Sequence, residues 1–400
     1  MATPATSRIA ASEGVGGKIR GFDKLLPIVS PEGIDGEEFV GDVRKILESG
    51  QLTNGRFVRE FERAAADYLG VPHCVAVSSC TSGLILTLAA LDLKGEVILP
   101  SFTFHATAHA VVWNGLKPVF VDCDPETFCI SADAVRERLS PNTAAIVAVH
   151  IFGNPASVLE LETIAIGTGV PLIYDSAHGF GSKVGNRHVG TFGTAEVFSF
   201  SPTKLLVAGE GGLVTTANAA LAGRLRAARN YGDAGNSDPE LHGLNGRMSE
   251  FHAALAIRGL GGIEGRVERR NEIRCRYERR LGGAPGVSFQ RIRYGNRSSC
   301  KDFQVLVDAD AFGCSRDWVL EALRKRNIEA RRYFYPPVHR QKLYSAAWDG
   351  KPLPVTERIS SQVLNLPIYS SLGDEEVDAV CDAVLDAAGG NGAMYNVGKG

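Results

Sequence analysis

Two residues in this chain have the type and setting of a covalent-catalysis pair. Lys204 closes the segment Val197-Phe198-Ser199-Phe200-Ser201-Pro202-Thr203-Lys204, and Gly209-Glu210-Gly211-Gly212 follows. An apolar run, a small-polar bend, one lysine and then glycines deliver an amine to the end of a strand. Upstream, Val170-Pro171-Leu172-Ile173-Tyr174 ends in Asp175, with His178 three residues on. An amine and a carboxylate at the ends of two buried strands are what pyridoxal 5'-phosphate requires. The lysine condenses with its aldehyde, and the aspartate keeps the pyridine nitrogen protonated so that the ring draws off electrons.

Other segments add to this reading or compete with it. Ser79-Cys80-Thr81-Ser82-Gly83 follows a strand pattern and opens the apolar stretch Leu84 to Leu91. Unpaired N–H groups at such a helix start suit a phosphate, although the same residues also make a plain N-cap. Phe102 and Phe104 follow another strand; one could stack on a flat ring while the other is core, and alternation does not say which. His105 and His109 share a helix spacing, but no third metal ligand completes them, so no metal is expected. Gly179-Phe180-Gly181-Ser182-Lys183-Val184-Gly185 is a near miss to a dinucleotide fingerprint, followed by polar Arg187 and His188 rather than an apolar helix. Gly209, Gly211 and Gly212 suit a tight hairpin as well as a place near a cofactor.

The elements that must position these residues read as α/β. Helical spacing covers 36–49 and 56–69, with a turn-forming loop at Gly50 to Gly55. Strand patterns fall at 73–77, 96–99, 118–121, 144–149, 170–174, 195–200 and 212–216, alternating with helical stretches. Their continuous apolarity predicts a mainly parallel seven-stranded sheet between helices. Residues 249–282 read as one long helix or two, 303–308 as a strand, and 315–327 and 374–388 as helices. The predicted organisation is a mobile tail at 1–22, a large domain at 23–264, a smaller C-terminal α+β domain at 265–388 and a flexible tail at 389–400.

Composition agrees with a globular enzyme. The 400 residues exceed one core, 44% are hydrophobic and 22% charged, and the net charge is −2. That balance gives no reason to expect nucleic acid or membrane as a partner. Eight scattered cysteines without a Cys-x-x-Cys pair, and no hydrophobic signal core, lead to an expectation of free thiols in the cytoplasm.

Taken in order, several motifs resemble the DegT/StrS-type aminotransferases, pyridoxal-phosphate enzymes of fold type I that mostly act on keto groups of nucleotide-linked sugars. They are Leu52-Thr53-Asn54-Gly55, Ser79 through Leu84, Thr103-Phe104-His105-Ala106-Thr107, Tyr174 through Gly179, Phe198 through Lys204 with Gly209 to Gly212, Asn245-Gly246-Arg247-Met248, and Tyr335-Pro336-Pro337-Val338-His339. The resemblance implies that Lys204 is the cofactor lysine and that Asp175 pairs with the pyridine nitrogen. It implies that His178, where many members carry glutamine, meets the phenolic oxygen, and that Phe104 stacks on the ring. Cys80, Thr81 and Ser199 would hold the phosphate. Asn245 would reach the phosphate of a neighbouring subunit, making a homodimer with shared sites. Arg331, Arg332, Tyr335 and His339 fall in the segment that lines the substrate side and are candidates for a diphosphate or a donor carboxylate; a solvated helix end would equally explain the arginines. Cys80 stands in place of the usual Gly or Ala, and Gly246 in place of a residue that is commonly aromatic, which leaves the sugar open. The expected reaction moves an amine, with L-glutamate as donor, to a keto group of a nucleotide-linked deoxysugar. Alternatives within the family are a keto-cyclitol or aminobenzoate-precursor aminotransferase and a sugar dehydratase; retention of the lysine favours transamination.

Overall fold

The computed structural model describes residues 9–14, 17–32, 36–346 and 348–389. Its centre is a seven-stranded sheet, whose strands are labelled in chain order: β1 His73–Val77, β2 Glu96–Pro100, β3 Lys117–Val121, β4 Thr143–Val149, β5 Leu172–Asp175, β6 Ala195–Ser199 and β7 Gly212–Thr216. Across the sheet they run β1-β7-β6-β5-β4-β2-β3. All neighbours are parallel except β7, which is antiparallel to both β1 and β6. β1 to β6 therefore all end on one edge.

The strands are apolar on both faces because helices cover both. Val75, Val77, Val97, Leu99, Val147, Val197 and Val214 pack with the helices Cys80–Ala90, His105–Trp113 and Ala219–Ala228. The alternate residues Cys74, Ala76, Phe198 and Leu213 face the helices Arg56–Leu69 and Glu250–Leu260. Gly83 permits the first of these packings, since a Cβ there would lie 2.6 Å from a Val197 methyl. The helix start is thereby held close against β6.

One carboxylate ties the outer layer together. Buried Glu250, in the first turn of its own helix, accepts the N–H groups of Gly55, Phe57 and Val58 at 2.9, 2.8 and 2.9 Å. These are orphan donors at the start of Arg56–Leu69, so the charge caps that helix from another element.

A second core lies around the antiparallel sheet Val287–Phe289, Phe303–Val307 and Val363–Leu366. The helices Arg316–Arg324 and Asp374–Gly389 cover it. The helix Ile263–Leu281 belongs to both bodies: Ile263 and Val267 enter the first core, and Ile273, Tyr277 and Leu281 the second. The 249–282 stretch is thus two helices, broken at Gly261-Gly262.

The segment ahead of the first helix also joins the second core. Phe22 and Leu26 are buried there, and their N–H groups donate to the carbonyls of Arg326 and Asn327 at 3.1 and 2.8 Å. Residues 9–14 and 17–22, expected within a mobile tail, pair as an antiparallel ribbon. Residues 1–8 and 390–400 lie outside the described residues. The glycine-rich segment at 179–185 turns into the short hairpin Lys183–Val184 and Arg187–His188 rather than a nucleotide-binding helix. Among the described residues no helix is long and apolar enough to cross a membrane.

Candidate active site

A cavity of about 290 Å³ opens where β1, β4, β5 and β6 end. Its wall on the sheet side holds Cys80, Thr81, Phe104, Asp175, His178, Ser199 and Lys204; Lys301 and Asp302, just ahead of a strand of the second core, and Tyr333 and Phe334, packed with Phe102 and Phe152, close it. The order of strands places Asp175 and Lys204 together: Asp175, the last residue of β5, pairs in register with Val197 of the parallel strand β6, and Lys204 follows β6.

Asp175 is a buried carboxylate without a bonded cation. Oδ2 accepts the Thr107 hydroxyl at 2.7 Å, Oδ1 accepts the Ala177 N–H at 3.1 Å, and the Cys80 thiol lies 3.8 Å from Oδ1. Thr107 spends its proton on Asp175, so at 3.0 Å it accepts from the Thr103 hydroxyl. Burial pushes the Asp175 carboxyl above its usual range, and the bonds from Thr107 and Ala177 and the charge of Lys204 oppose it. A cationic ring nitrogen is the partner such a group calls for.

The Lys204 amine is held down to about 8, first by burial and then by the positive charge of Lys301. Near neutral pH a usable fraction is therefore uncharged, as a nucleophile and a proton acceptor require.

His178 presents a donor. Its Nδ1 accepts the Phe152 N–H at 3.1 Å, so the ring proton sits on Nε2. Burial, then the charges of Lys204 and Lys301, keep the imidazole well below its ordinary range and hence neutral.

The helix Cys80–Ala90 supplies the anion end. Ser79 caps it, accepting the Ser82 N–H at 3.0 Å while the Ser82 hydroxyl accepts the Ser79 N–H at 3.0 Å. Helix geometry gives the N–H groups of Cys80 and Thr81 no partner, so they remain for a phosphate. Gly212 keeps this place open, because a Cβ there would come within 2.7 Å of the Cys80 nitrogen. The Cys80 side chain points the other way, its thiol donating to the Val197 carbonyl at 3.4 Å. Cys80 can serve an anion through its main chain only.

The two phenylalanines separate cleanly. Phe102 is fully buried, edge-on to Phe128, Phe152 and Phe334. Phe104 is 49% exposed and lines the cavity.

The substrate candidates from the 331–339 segment are not brought to this wall. Arg331 is tied to Glu329 at 2.6 Å and to the Tyr333 hydroxyl, and Arg332 to Asp317 at 3.2 Å. Neither ends a helix, since the preceding one stops at Arg324. Tyr335 is half-exposed between the guanidinium groups of Arg316 and Arg332. His339, a candidate for the substrate side, does not line the cavity. It is wholly buried, Nδ1 lies 2.6 Å from the Ser101 hydroxyl, Nε2 lies 3.2 Å from Glu357, and Trp348 covers the ring. Asn245 is exposed, bonded to Arg247 at 3.0 Å, and does not line the cavity of its own chain.

Sequence reasoning missed Lys301, Asp302, Tyr333 and the Thr103–Thr107 relay. Thr103 lies just ahead of the helix His105–Trp113 and Thr107 in its first turn, so the helix start brings the two hydroxyls together. Lys301 and Asp302 precede a strand of the second core, and nothing local in Ser299-Cys300-Lys301-Asp302-Phe303 points to a cavity.

A mostly parallel seven-stranded sheet, with an aspartate at one strand end and a lysine in the turn after the next strand, matches the aminotransferases of fold type I. Residues 34–385 match the DegT/DnrJ/EryC1/StrS aminotransferase family, and the chain belongs to it. It is 35% identical over 371 residues to the dTDP-4-amino-4,6-dideoxy-D-glucose transaminase of Escherichia coli, covering 91% of this chain and 99% of that one. Among solved structures it is similar to DesI, crystallised in the presence of its TDP-sugar product, with 37% identity, a TM-score of 0.87 and coverage of 92% and 94%. It is also similar to Helicobacter pylori PseC, an aminotransferase involved in the biosynthesis of pseudoaminic acid, with 28% identity, a TM-score of 0.85 and coverage of 92% and 100%.

Proposed function

We propose that this aminotransferase uses pyridoxal 5'-phosphate to move an amine from L-glutamate to a keto group of a nucleotide-linked deoxysugar. The observation that carries the reading is the Lys204 amine and the Asp175 carboxylate lining one cavity, the one from the turn after β6 and the other from the end of neighbouring β5. The cavity fits the cofactor: a buried carboxylate awaits a cation, a neutral imidazole offers Nε2–H, and a helix start offers free N–H groups. When bound, the cofactor supplies an electrophilic aldehyde and a ring that draws off electrons. Asp175 holds the ring nitrogen protonated, and His178 Nε2 donates to the phenolic oxygen. The N–H groups of Cys80 and Thr81 and the hydroxyl of Ser199 hold the phosphate, and Phe104 faces the ring. Lys204 Nζ takes the proton from the donor's α-carbon; in the second half it delivers a proton to the former keto carbon.

The sugar assignment draws on the relatives, which are named for amino sugars. The assembly is a homodimer in which Asn245 serves the partner's phosphate; its exposure, away from the cavity of its own chain, supports this. A visible absorbance band that bleaches on adding glutamate tests the cofactor and donor. Keto nucleotide sugars, offered with glutamate and read by mass spectrometry, test the acceptor; no amine gained by any of them overturns the sugar reading.

A further inference from the structure

Across the cavity from the helix start stand two charged side chains that the chemistry above does not use. Lys301 and Asp302 are 4% and 5% exposed, and both line the cavity. Lys301 Nζ donates to Asp302 Oδ1 at 2.7 Å. That uses one of three ammonium hydrogens. The other carboxylate oxygen, Oδ2, is buried and has no hydrogen-bond partner. An unpaired buried carboxylate oxygen is costly, and native structures keep few of them. The pair therefore offers an acceptor and spare donors side by side.

We propose that the Lys301–Asp302 pair clamps a hydroxyl on the carbon next to the keto carbon of the acceptor sugar, the hydroxyl donating to Asp302 Oδ2 and accepting from Lys301 Nζ. This rests on the reading of the acceptor as a keto sugar. A hydroxyl is the group that satisfies both sides, because it donates and accepts at once. A carboxylate of the amino donor would meet the negative charge of Asp302, so the pair selects a neutral group. The position next to the keto carbon follows from the neighbourhood of Lys204. Lys204, Lys301 and Asp302 line the same cavity, and the charges of Lys301 and Asp302 reach the Lys204 amine. Lys204 serves the carbon that receives nitrogen, so groups beside it are those on adjoining carbons.

A purely structural pair is the competing account. Asp302 also borders a hollow of about 10 Å³ lined by Arg274, Gln290 and Gln304, and the Arg270 guanidinium lies close enough to feel its charge. Selectivity separates the two accounts, because a structural pair gives no preference for one hydroxyl.

The test titrates the holoenzyme, loaded with pyridoxamine phosphate, with dTDP-4-amino-4,6-dideoxyglucose and with its 3-deoxy counterpart, read by calorimetry. The wild type is expected to prefer the hydroxyl-bearing compound by about tenfold or more. Lys301→Met and Asp302→Leu are expected to bring the two affinities within about twofold of each other. Equal affinities in the wild type, or a preference that survives in both variants, overturn the clamp and leave the sugar reading standing. Variants that lose both ligands equally, with lowered thermal midpoints, assign the pair a structural role and also overturn it. If the wild type binds neither compound while glutamate still bleaches its absorbance, the sugar reading fails and the clamp falls with it.

Discussion

The main-chain N–H of Phe152 donates to Nδ1 of His178 across 3.1 Å, and the two rings stack at 10°. One hydrogen bond thus decides which imidazole nitrogen faces the cavity with a proton. Glutamine can offer an N–H from the same place, whereas leucine cannot. His178→Gln is expected to keep most of the activity, and His178→Leu to lose roughly tenfold to a hundredfold in turnover. The pH response has a defined sign. The native imidazole lies below its unfolded value of 6.5, so the stability present above that pH is lost as pH falls through 6.5 toward the native value. Urea midpoints at pH 7.5 and 5.5 check this, with a larger drop for the wild type than for His178→Gln.

Lys204 carries a cost in the cofactor-free protein. Its amine titrates at about 8 rather than 10.5, so its stabilising contribution is fully present above 10.5 and is lost as pH falls to 8. Lys204→Met is expected to abolish transamination while raising the thermal midpoint of the cofactor-free protein at pH 7. The gap should narrow between pH 8 and 10.5. Scanning calorimetry across that range decides it.

Asp175→Asn is expected to retain the cofactor and lose about a hundredfold or more in rate, since an amide cannot hold the ring nitrogen's proton. Thr107→Val removes one donor to the same carboxylate and should cost roughly tenfold. Single-turnover kinetics with glutamate would measure both, and a near-wild-type Asp175→Asn would sink the assignment.

Asn245 yields a prediction about assembly. Lys204→Ala and Asn245→Asp should each be inactive alone. Mixed dimers place both lesions in one site and neither in the other, so up to half of a wild-type dimer's activity should return. Confirmed subunit exchange without recovery means that Asn245 does not act across the interface.

Glu250→Ala should destabilise the fold by about 2–4 kcal/mol, because three N–H groups at the start of Arg56–Leu69 lose a charged acceptor inside the protein. Urea unfolding measures the loss, and Glu250→Gln, which keeps one acceptor oxygen, should lose less.

Legibility in the sequence followed locality. All seven strands of the main sheet could be read because each is a short apolar run between turns, and Lys204 and Asp175 could be read because each ends such a run. Phe102 and Phe104 could not be told apart by alternation, since the chain leaves strand geometry at Ser101. His339 was a candidate only through the family resemblance of its segment; its burial depends on Ser101, 238 residues away, and on Glu357. The strand Val363–Leu366 and the ribbon at 9–22 went unread. Lys301 and Asp302 were invisible for the same reason: their cavity exists only once the second core meets the first.

The helix Ile263–Leu281 is anchored in both bodies, and that gives it the role of a spacer bar. By packing in both cores it ties the wall that carries Lys204 to the body that carries Lys301. That double anchorage opposes relative movement of the two walls, so a substrate is measured against the spacing between them. Discrimination then falls on length and on where hydroxyls lie along that length. Lengthening or shortening the bar by a turn would change which molecules span the slot without altering any residue that touches them.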